Sequence, residues 1–462
     1  MIRNGPLLLD HGCWPLRAAA LAIAEAGWAA ADVDAAAQRS LELDGSTLRC
    51  RDRTFSLPKV ERIWFLGAGK ASLGVARAVE TVLGPRLHGG VVVVPRGQRA
   101  TLSRIQVLES DHPLPSEASV RGAEALTAIA DRAGPSDLVV ASVTGGSSSL
   151  VCAPPAGVGL TDLRLLYRIL LASGADVAEV NTVRRQVCTI KGGRLATRIF
   201  PAPVINLTVS DVADDNPEFI TDLTVQNHAR AGDAIDVLRR HGLWDAVPAS
   251  VQFHLGARDA AALPDLRASD ITTAIVLTGA TVVEEMSRAA VAVGYEPVVL
   301  GSSLEGESRG VGTALASFAL ESWRRDRPFA PPCAMIACGG ETTVSLDQEA
   351  PWQAGGPNQE LAVALAARLP MEAPIAALAV DTDGHDGGTG LAGALVDSHT
   401  AGRAHAQSLE LTRALRDHCT TDLLRALGEG VETGTTGTNV NDMLVVLVGR
   451  PARDLDPRVD RP

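Results

Sequence analysis

The chain has 462 residues and a formal net charge of −12, from Lys+Arg 42 and Asp+Glu 54. That length exceeds one ordinary hydrophobic core, so two domains are expected. Hydrophobic residues at 46% and charged residues at 21% exclude a disordered chain, and the acidic balance argues against nucleic acid as a partner.

An Ala-rich helix is expected over 14–31, followed by a recurrent unit of apolar run, glycine turn and amphipathic run. Residues 61–66 (ERIWFL) read as a strand ended by Gly67-Ala68-Gly69, and 70–83 as a helix stopped by Gly84-Pro85. Strands are expected at 90–94, 137–143 and 203–209, with helices at 116–132, 160–173 and 175–188. Continuous apolar strands alternating with helices predict a mostly parallel sheet covered on both faces. The irregular stretch 244–270 is the best domain boundary. Strands then follow at 272–277, 297–300, 333–338, 341–346, 375–380 and 443–448, with helices at 280–293, 305–325 and 358–368.

No run of about 18 apolar residues is present, so no membrane span is expected. The first residues, with a short apolar run and Asp10, do not read as a signal peptide. The seven cysteines are scattered and never spaced CxxC, which predicts reduced thiols, a cytoplasmic protein and no zinc site. Of the 42 basic residues only Lys59, Lys70 and Lys191 are lysines, and the last two adjoin glycines.

Four groups of residues can carry chemistry. Gly67-Ala68-Gly69-Lys70-Ala71-Ser72 follows a strand and opens a helix, where free amides and the helix dipole attract an anion. It lacks the third glycine of a dinucleotide fingerprint, the next strand ends Val94-Pro95-Arg96 without an acid, and it fails the Walker spacing. A phosphate or carboxylate site fits better, and a plain tight turn stays open. Thr144-Gly145-Gly146-Ser147-Ser148-Ser149 reads as a second oxyanion cradle, or as helix capping. Asn181, Arg184 and Arg185 share a helical face ahead of Lys191-Gly192-Gly193, and can clamp a small anion or form ion pairs. Acids at strand ends, Asp211 and the run Asp381-Thr382-Asp383-Gly384-His385-Asp386, suit Mg²⁺, a base toward a hydroxyl, or ordinary turn chemistry. The turn Thr436-Gly437-Thr438-Asn439-Val440-Asn441-Asp442 is a further candidate phosphate contact. Anion cradles combined with strand-end acids fit phosphoryl transfer.

Over roughly 14–449 the sequence resembles the glycerate 2-kinase family with a C-terminal MOFRL domain, whose members are often labelled hydroxypyruvate reductases. The carriers are GAGKAS (67–72), DHPLPSEAS (111–119), TGGSSSL (144–150), NTVRRQVCTIKGGRLA (181–196), SDV (210–212), GGETTV (339–344), GGPNQELA (355–362), DTDGHDGGTGLAGALVD (381–397) and TGTNVND (436–442). The resemblance implies an α/β fold of two domains. A larger Rossmann-like N-terminal domain (1–255) carries the mostly parallel sheet, and a smaller α/β domain (256–455) contains the MOFRL region (about 331–449), with 456–462 as a tail. It also implies an active site between the domains, ATP, Mg²⁺ and phosphoryl transfer to the 2-hydroxyl of a small hydroxy acid such as D-glycerate.

By motif, Lys70, Asp211 and Asp383 are the implied catalytic residues, with Asp211 and Asp383 also serving the metal. Ser147, Ser148, Asn181, Arg184, Lys191, Glu341 and Asn358 are implied substrate contacts. Gly67, Gly69, Gly145, Gly146, Thr438 and Asn439 are implied nucleotide contacts. The chain departs from the family pattern at Pro357, where an Arg is usual, at the 213–224 turn, and at Ser116. A diverged homologue with another substrate or reaction, and an NAD(P)H-dependent hydroxypyruvate reductase, are the competing readings. A homodimer is left open.

Overall fold

The computed structural model describes residues 1–210, 215, 223–225, 227–257, 271–345 and 354–450. The chain forms two compact units. One comprises Asp32–Leu277; the other joins Met1–Ala31 to Thr278–Pro462.

The first unit is built on a six-stranded sheet: β1 (Ile63–Ala68), β2 (Leu87–Pro95), β3 (Ile105–Ser110), β4 (Leu138–Val143), β5 (Val204–Val209) and β6 (Ile271–Leu277). Their order is β3-β2-β1-β4-β5-β6 and every neighbouring pair is parallel. The strands read from continuous apolar runs, β1, β4 and β5, are buried at every residue. This is the pattern of strands with helices on both faces. The strand β3 (IQVLES) was not expected; its apolar residues are diluted because it lies at a sheet edge. Helices α2 (Ser72–Leu83) and α3 (Glu117–Ala130) follow β1 and β3. A further apolar cluster gathers α4 (Leu160–Leu171) and α5 (Val177–Gln186) around Leu163, Leu166, Tyr167 and Val183.

The second unit has a mixed sheet of β7 (Glu296–Gly301), β8 (Cys333–Cys338), β9 (Ile375–Asp381), β10 (Gly393–Asp397), β11 (Gly430–Val431) and β12 (Asp442–Val448). The order is β7-β8-β12-β9-β10-β11, and only β7 and β8 run parallel. Of the expected strand 341–346, only Thr342–Thr343 pairs, with Gly306–Glu307; Leu346 lies outside the described residues.

The compact units do not follow the 1–255 and 256–455 division. β6, placed by sequence in the second domain, completes the first sheet beside β5. The N-terminal helix α1 (Trp14–Ala30) instead packs with α6 (Gly279–Ala292) in the second unit. The close approach needs Gly27, where a Cβ would lie 2.7 Å from Met443 Sδ and 2.9 Å from Met286 Cγ. Arg17 of α1 is fully buried there, 3.2 Å from Asp397 and 3.6 Å from Glu429. Among the described residues no helix is long and apolar enough to cross a membrane.

Candidate active site

The strand order makes β1 and β4 neighbours although β2 and β3 intervene in sequence. This is the point where the chain reverses its direction of progress across the sheet, and open α/β sheets bind ligands at its carboxyl end. The loops GAGK and TGGSSS leave β1 and β4 at that point. They are joined closely: the Lys70 amide donates to the Gly145 carbonyl at 2.9 Å, and the Ala71 amide to Thr144 Oγ1 at 3.2 Å. Gly69 has φ +140°, and a Cβ on it would lie 2.0 Å from Thr144 Oγ1.

The same bonds correct one expectation. The amides at 69–72 are not free for an anion. Those of Gly69 and Ser72 donate to Val93 and Gly69, and those of Ser147, Ser149 and Leu150 close the following turn. Gly67 is a packing glycine, since a Cβ would lie 2.8 Å from Phe65 Cε1. Lys70 is half-buried, and a Cβ on Gly146 (φ +82°) would sit 3.3 Å from Lys70 Cγ and 3.2 Å from His112 Cδ2. His112, exposed on the β3–α3 loop, was given no role by the sequence; the only signal was its place in DHPLP.

Beneath this corner lies a buried cation. Lys191 is fully buried, its ammonium donating to the Ser148 carbonyl and lying 3.4 Å from Tyr167 Oη. Tyr167 also donates to the Ser148 carbonyl, at 3.2 Å, and Arg184 stacks 4.5 Å from its ring centroid. Lys191, Arg184 and Ser148 are thus brought together through Tyr167, one of two tyrosines in the chain and unmarked by any motif. Ser147 and Asn181 are buried nearby in sequence, while Arg185 is almost wholly enclosed. Lys191 supports the loop rather than projecting into solvent. Asp211 lies outside the described residues.

The second unit gathers its own motifs at the ends of β9 and β12. Asp442 Oδ1 accepts from Asn358 Nδ2 at 2.6 Å, and Oδ2 from the Thr342 amide at 3.1 Å. Asp386 accepts from the Asn358 and Gln359 amides at 3.1 and 3.0 Å. These are the unpaired first-turn donors of α7 (Pro357–Ala366), so Asp386 caps that helix from a distant loop. Pro357 occupies N1, where its missing N–H costs nothing. Gly356 is required there, because a Cβ would lie 2.2 Å from Asp386 Oδ2. Burial pushes the Asp386 carboxyl up to about 6. Burial, with the Glu341 and Asp386 charges adding, pushes Asp442 up to about 8.

Asp383 is nearly buried; its Oδ1 accepts the His385 amide at 2.8 Å and its own amide donates to Asp381 Oδ1 at 2.8 Å. Thr436 Oγ1 donates to the Thr382 carbonyl at 2.6 Å and the Val440 amide to Thr382 Oγ1 at 3.0 Å, which ties the DTDGHD and TGTNVND loops together. Thr438 and Asn439 are buried in this junction, and Thr438 Oγ1 has no partner among the described residues. Glu341 is exposed beside Thr342. Asn358, expected to line a site, is instead enclosed between two carboxylates. Among the described residues no group of three His, Cys, Asp or Glu is arranged to hold a metal ion. Mg²⁺ bound through nucleotide phosphates needs only one or two protein carboxylates, a requirement Asp383 can meet.

Residues 19–256 match a family described as a domain of unknown function (DUF4147), and residues 334–442 match the MOFRL family. Glycerate 2-kinase of Pyrococcus horikoshii is 34% identical over 84% of this chain and 87% of its own length. The chain belongs to the glycerate 2-kinase family. D-glycerate 2-kinase of Thermotoga maritima is 32% identical over 85% of this chain and 93% of its own. A solved glycerate kinase structure from Thermotoga maritima superposes with a TM-score of 0.77 at 30% identity, covering 93% of this chain and 99% of that one. A relative from Agrobacterium vitis, named putative hydroxypyruvate reductase, is 37% identical over 83% of this chain and 98% of its own.

Proposed function

We propose that the protein is an ATP-dependent glycerate 2-kinase, transferring the γ-phosphoryl group to the 2-hydroxyl of D-glycerate. The observation that carries the reading is the placement of Lys70 at the sheet's switch point, pinned between the GAGK and TGGS loops. Phosphoryl transfer needs positioning and charge neutralisation more than covalent chemistry. In this reading the Lys70 ammonium neutralises phosphate charge, with Ser147, Ser148, Asn181 and Arg184 contacting the substrate and Lys191 fixing the Ser148 carbonyl from below. Gly145, Gly146, Thr438 and Asn439 contact the nucleotide, and Glu341 contacts the acceptor. Mg²⁺, when bound, supplies charge neutralisation at the phosphates; Asp211 and Asp383 are the carboxylates assigned to it. Asp211 is also the group assigned to the acceptor hydroxyl. The same reading places the enzyme in the cytoplasm, without nucleic-acid or membrane partners.

A reductase reading is favoured by the name of the Agrobacterium vitis relative and by a strand order shared with dinucleotide-binding folds. Against it, β2 ends in Pro95-Arg96, with Arg96 bound to Asp111 at 2.8 Å, and offers no carboxylate for a ribose. A single plate decides. ADP release with D-glycerate, ATP and Mg²⁺ is expected, with no NADH or NADPH oxidation on hydroxypyruvate; the reverse pattern refutes the kinase reading. Neither signal would favour a diverged reaction, as the loss of Arg at Pro357 allows.

A further inference from the structure

The Lys70 turn is held by more than the two glycine loops. The peptide between Gly69 and Lys70 is fixed by the Lys70 amide on the Gly145 carbonyl at 2.9 Å. The peptide between Lys70 and Ala71 is fixed at both ends. Its N–H donates to Thr144 Oγ1 at 3.2 Å, and its carbonyl accepts from Gln98 Nε2 at 3.1 Å. A residue has only two soft backbone dihedrals, and bonds on both flanking peptides set the two of Lys70. They thereby set the direction in which its side chain leaves the turn.

Gln98 makes its bond to Lys70 at the expense of its own oxygen. It stands on the loop after β2 and is 9% exposed, and its Oε1 is buried with no partner among the described residues. Turning the amide over would set that oxygen against the Lys70 carbonyl, acceptor to acceptor, so the donor must face Lys70. A buried acceptor left unpaired costs about 1–3 kcal/mol, and a methionine would fill the same length without it. Packing alone therefore does not account for a carboxamide here. The loop that carries Gln98 is braced from the end of β3. The Arg96 amide donates to the Ser110 carbonyl at 3.0 Å, and the Gln98 amide to the Pro95 carbonyl at 3.1 Å. Glu109 accepts from the Gly97 amide at 3.1 Å and from Arg99 Nε at 2.8 Å. Arg96 holds both oxygens of Asp111, at 2.8 and 3.0 Å.

We propose that Gln98 is a positioning residue for Lys70: its carboxamide clamps the Lys70–Ala71 peptide from the braced β2–β3 loop, so that the ammonium is aimed before a ligand arrives. The assignment rests on the kinase reading for what the ammonium does, but not for the aiming itself. A lysine ammonium rides on a flexible four-carbon stem, and fixing the root of that stem removes freedom that binding would otherwise have to remove. Gln98 acts through Lys70 alone.

The test uses the full chain with its lysines labelled with carbon-13 at Cε, beside steady-state kinetics. Lys59, Lys70 and Lys191 are the only lysines, so three side-chain signals are expected, and Lys70→Arg identifies the one from Lys70. Gln98→Met keeps the length and loses the donor. It is expected to move the Lys70 signal and leave those of Lys59 and Lys191 in place, which also reports an intact fold. The kcat for D-glycerate phosphorylation should fall by about tenfold or more, with KM for D-glycerate within about twofold of the parent. Gln98→Glu, an anion facing a carbonyl at about pH 8, should lose more than Gln98→Met. An unmoved Lys70 signal, equal movement of all three signals, or a kcat within about twofold of an active parent overturns the assignment. A parent that releases no ADP overturns the kinase reading, and the Lys70 signal then decides for or against Gln98 by itself.

Discussion

Lys70 is one of three lysines among 42 basic residues. A Cβ on Gly146 would lie 3.3 Å from Lys70 Cγ and 3.2 Å from His112 Cδ2. Lys70→Ala is expected to lower kcat for glycerate phosphorylation by on the order of 10² to 10³ with folding unchanged, as read by ADP release and circular dichroism. Gly146→Ala adds a Cβ at φ +82° against the same two side chains. It should cost about 1–3 kcal/mol in a denaturant titration and reduce activity as well. Asp442 makes a pH prediction. Burial raises its carboxyl to about 8, so the folded state holds a proton that the unfolded chain has released. Its contribution to stability is present in acid and lost as pH rises toward 8. The thermal midpoint of the parent should fall between about pH 5 and pH 9, and that of Asp442→Asn should fall less; equal slopes would refute this. None of this burial was legible in sequence. Asp386 and Asp442 read as turn acids, because their donors, the first-turn amides of α7 and Thr342, lie many residues away.

Among the elements of the two six-stranded sheets, most strands were legible as apolar runs, with β3, β10 and β11 the exceptions. β1, β4 and β5 are apolar at nearly every position because both faces are covered, and their runs stand out in one dimension. β3 (IQVLES) is exposed or half-buried at four of its six residues and does not stand out as an apolar run, while β6 was read as a strand but placed across the 244–270 boundary from the sheet it completes. Helix α1 was recognised, but its destination was not. A glycine at position 27 and a buried arginine at 17 acquire meaning only with Met286, Met443, Asp397 and Glu429 in place. Arg17→Met leaves two acids without one of their cations. It is expected to cost about 3–5 kcal/mol by chemical denaturation, whereas a loss below about 1 kcal/mol would mean that Arg403 alone neutralises them.

For the molecule as a whole, the arrangement of motifs is more informative than any single one. Short glycine and serine runs that could each be a turn fall at the switch point of one sheet, and the later acidic and glycine runs fall at adjoining strand ends of the other. The two units also predict how the chain can be cut. A fragment spanning 32–277 contains every strand of the parallel sheet and should fold alone, while 278–450 should be soluble and cooperative only when 1–31 is supplied. Limited proteolysis of the coexpressed pieces checks this.

The central claim is tested most directly by following ATP and D-glycerate with the parent protein and Lys70→Ala by phosphorus NMR. The account predicts a new monoester resonance assigned to 2-phosphoglycerate, growing as the γ-phosphate signal decays and nearly absent with the variant. An unchanged ATP spectrum, or equal product from both proteins, would contradict it.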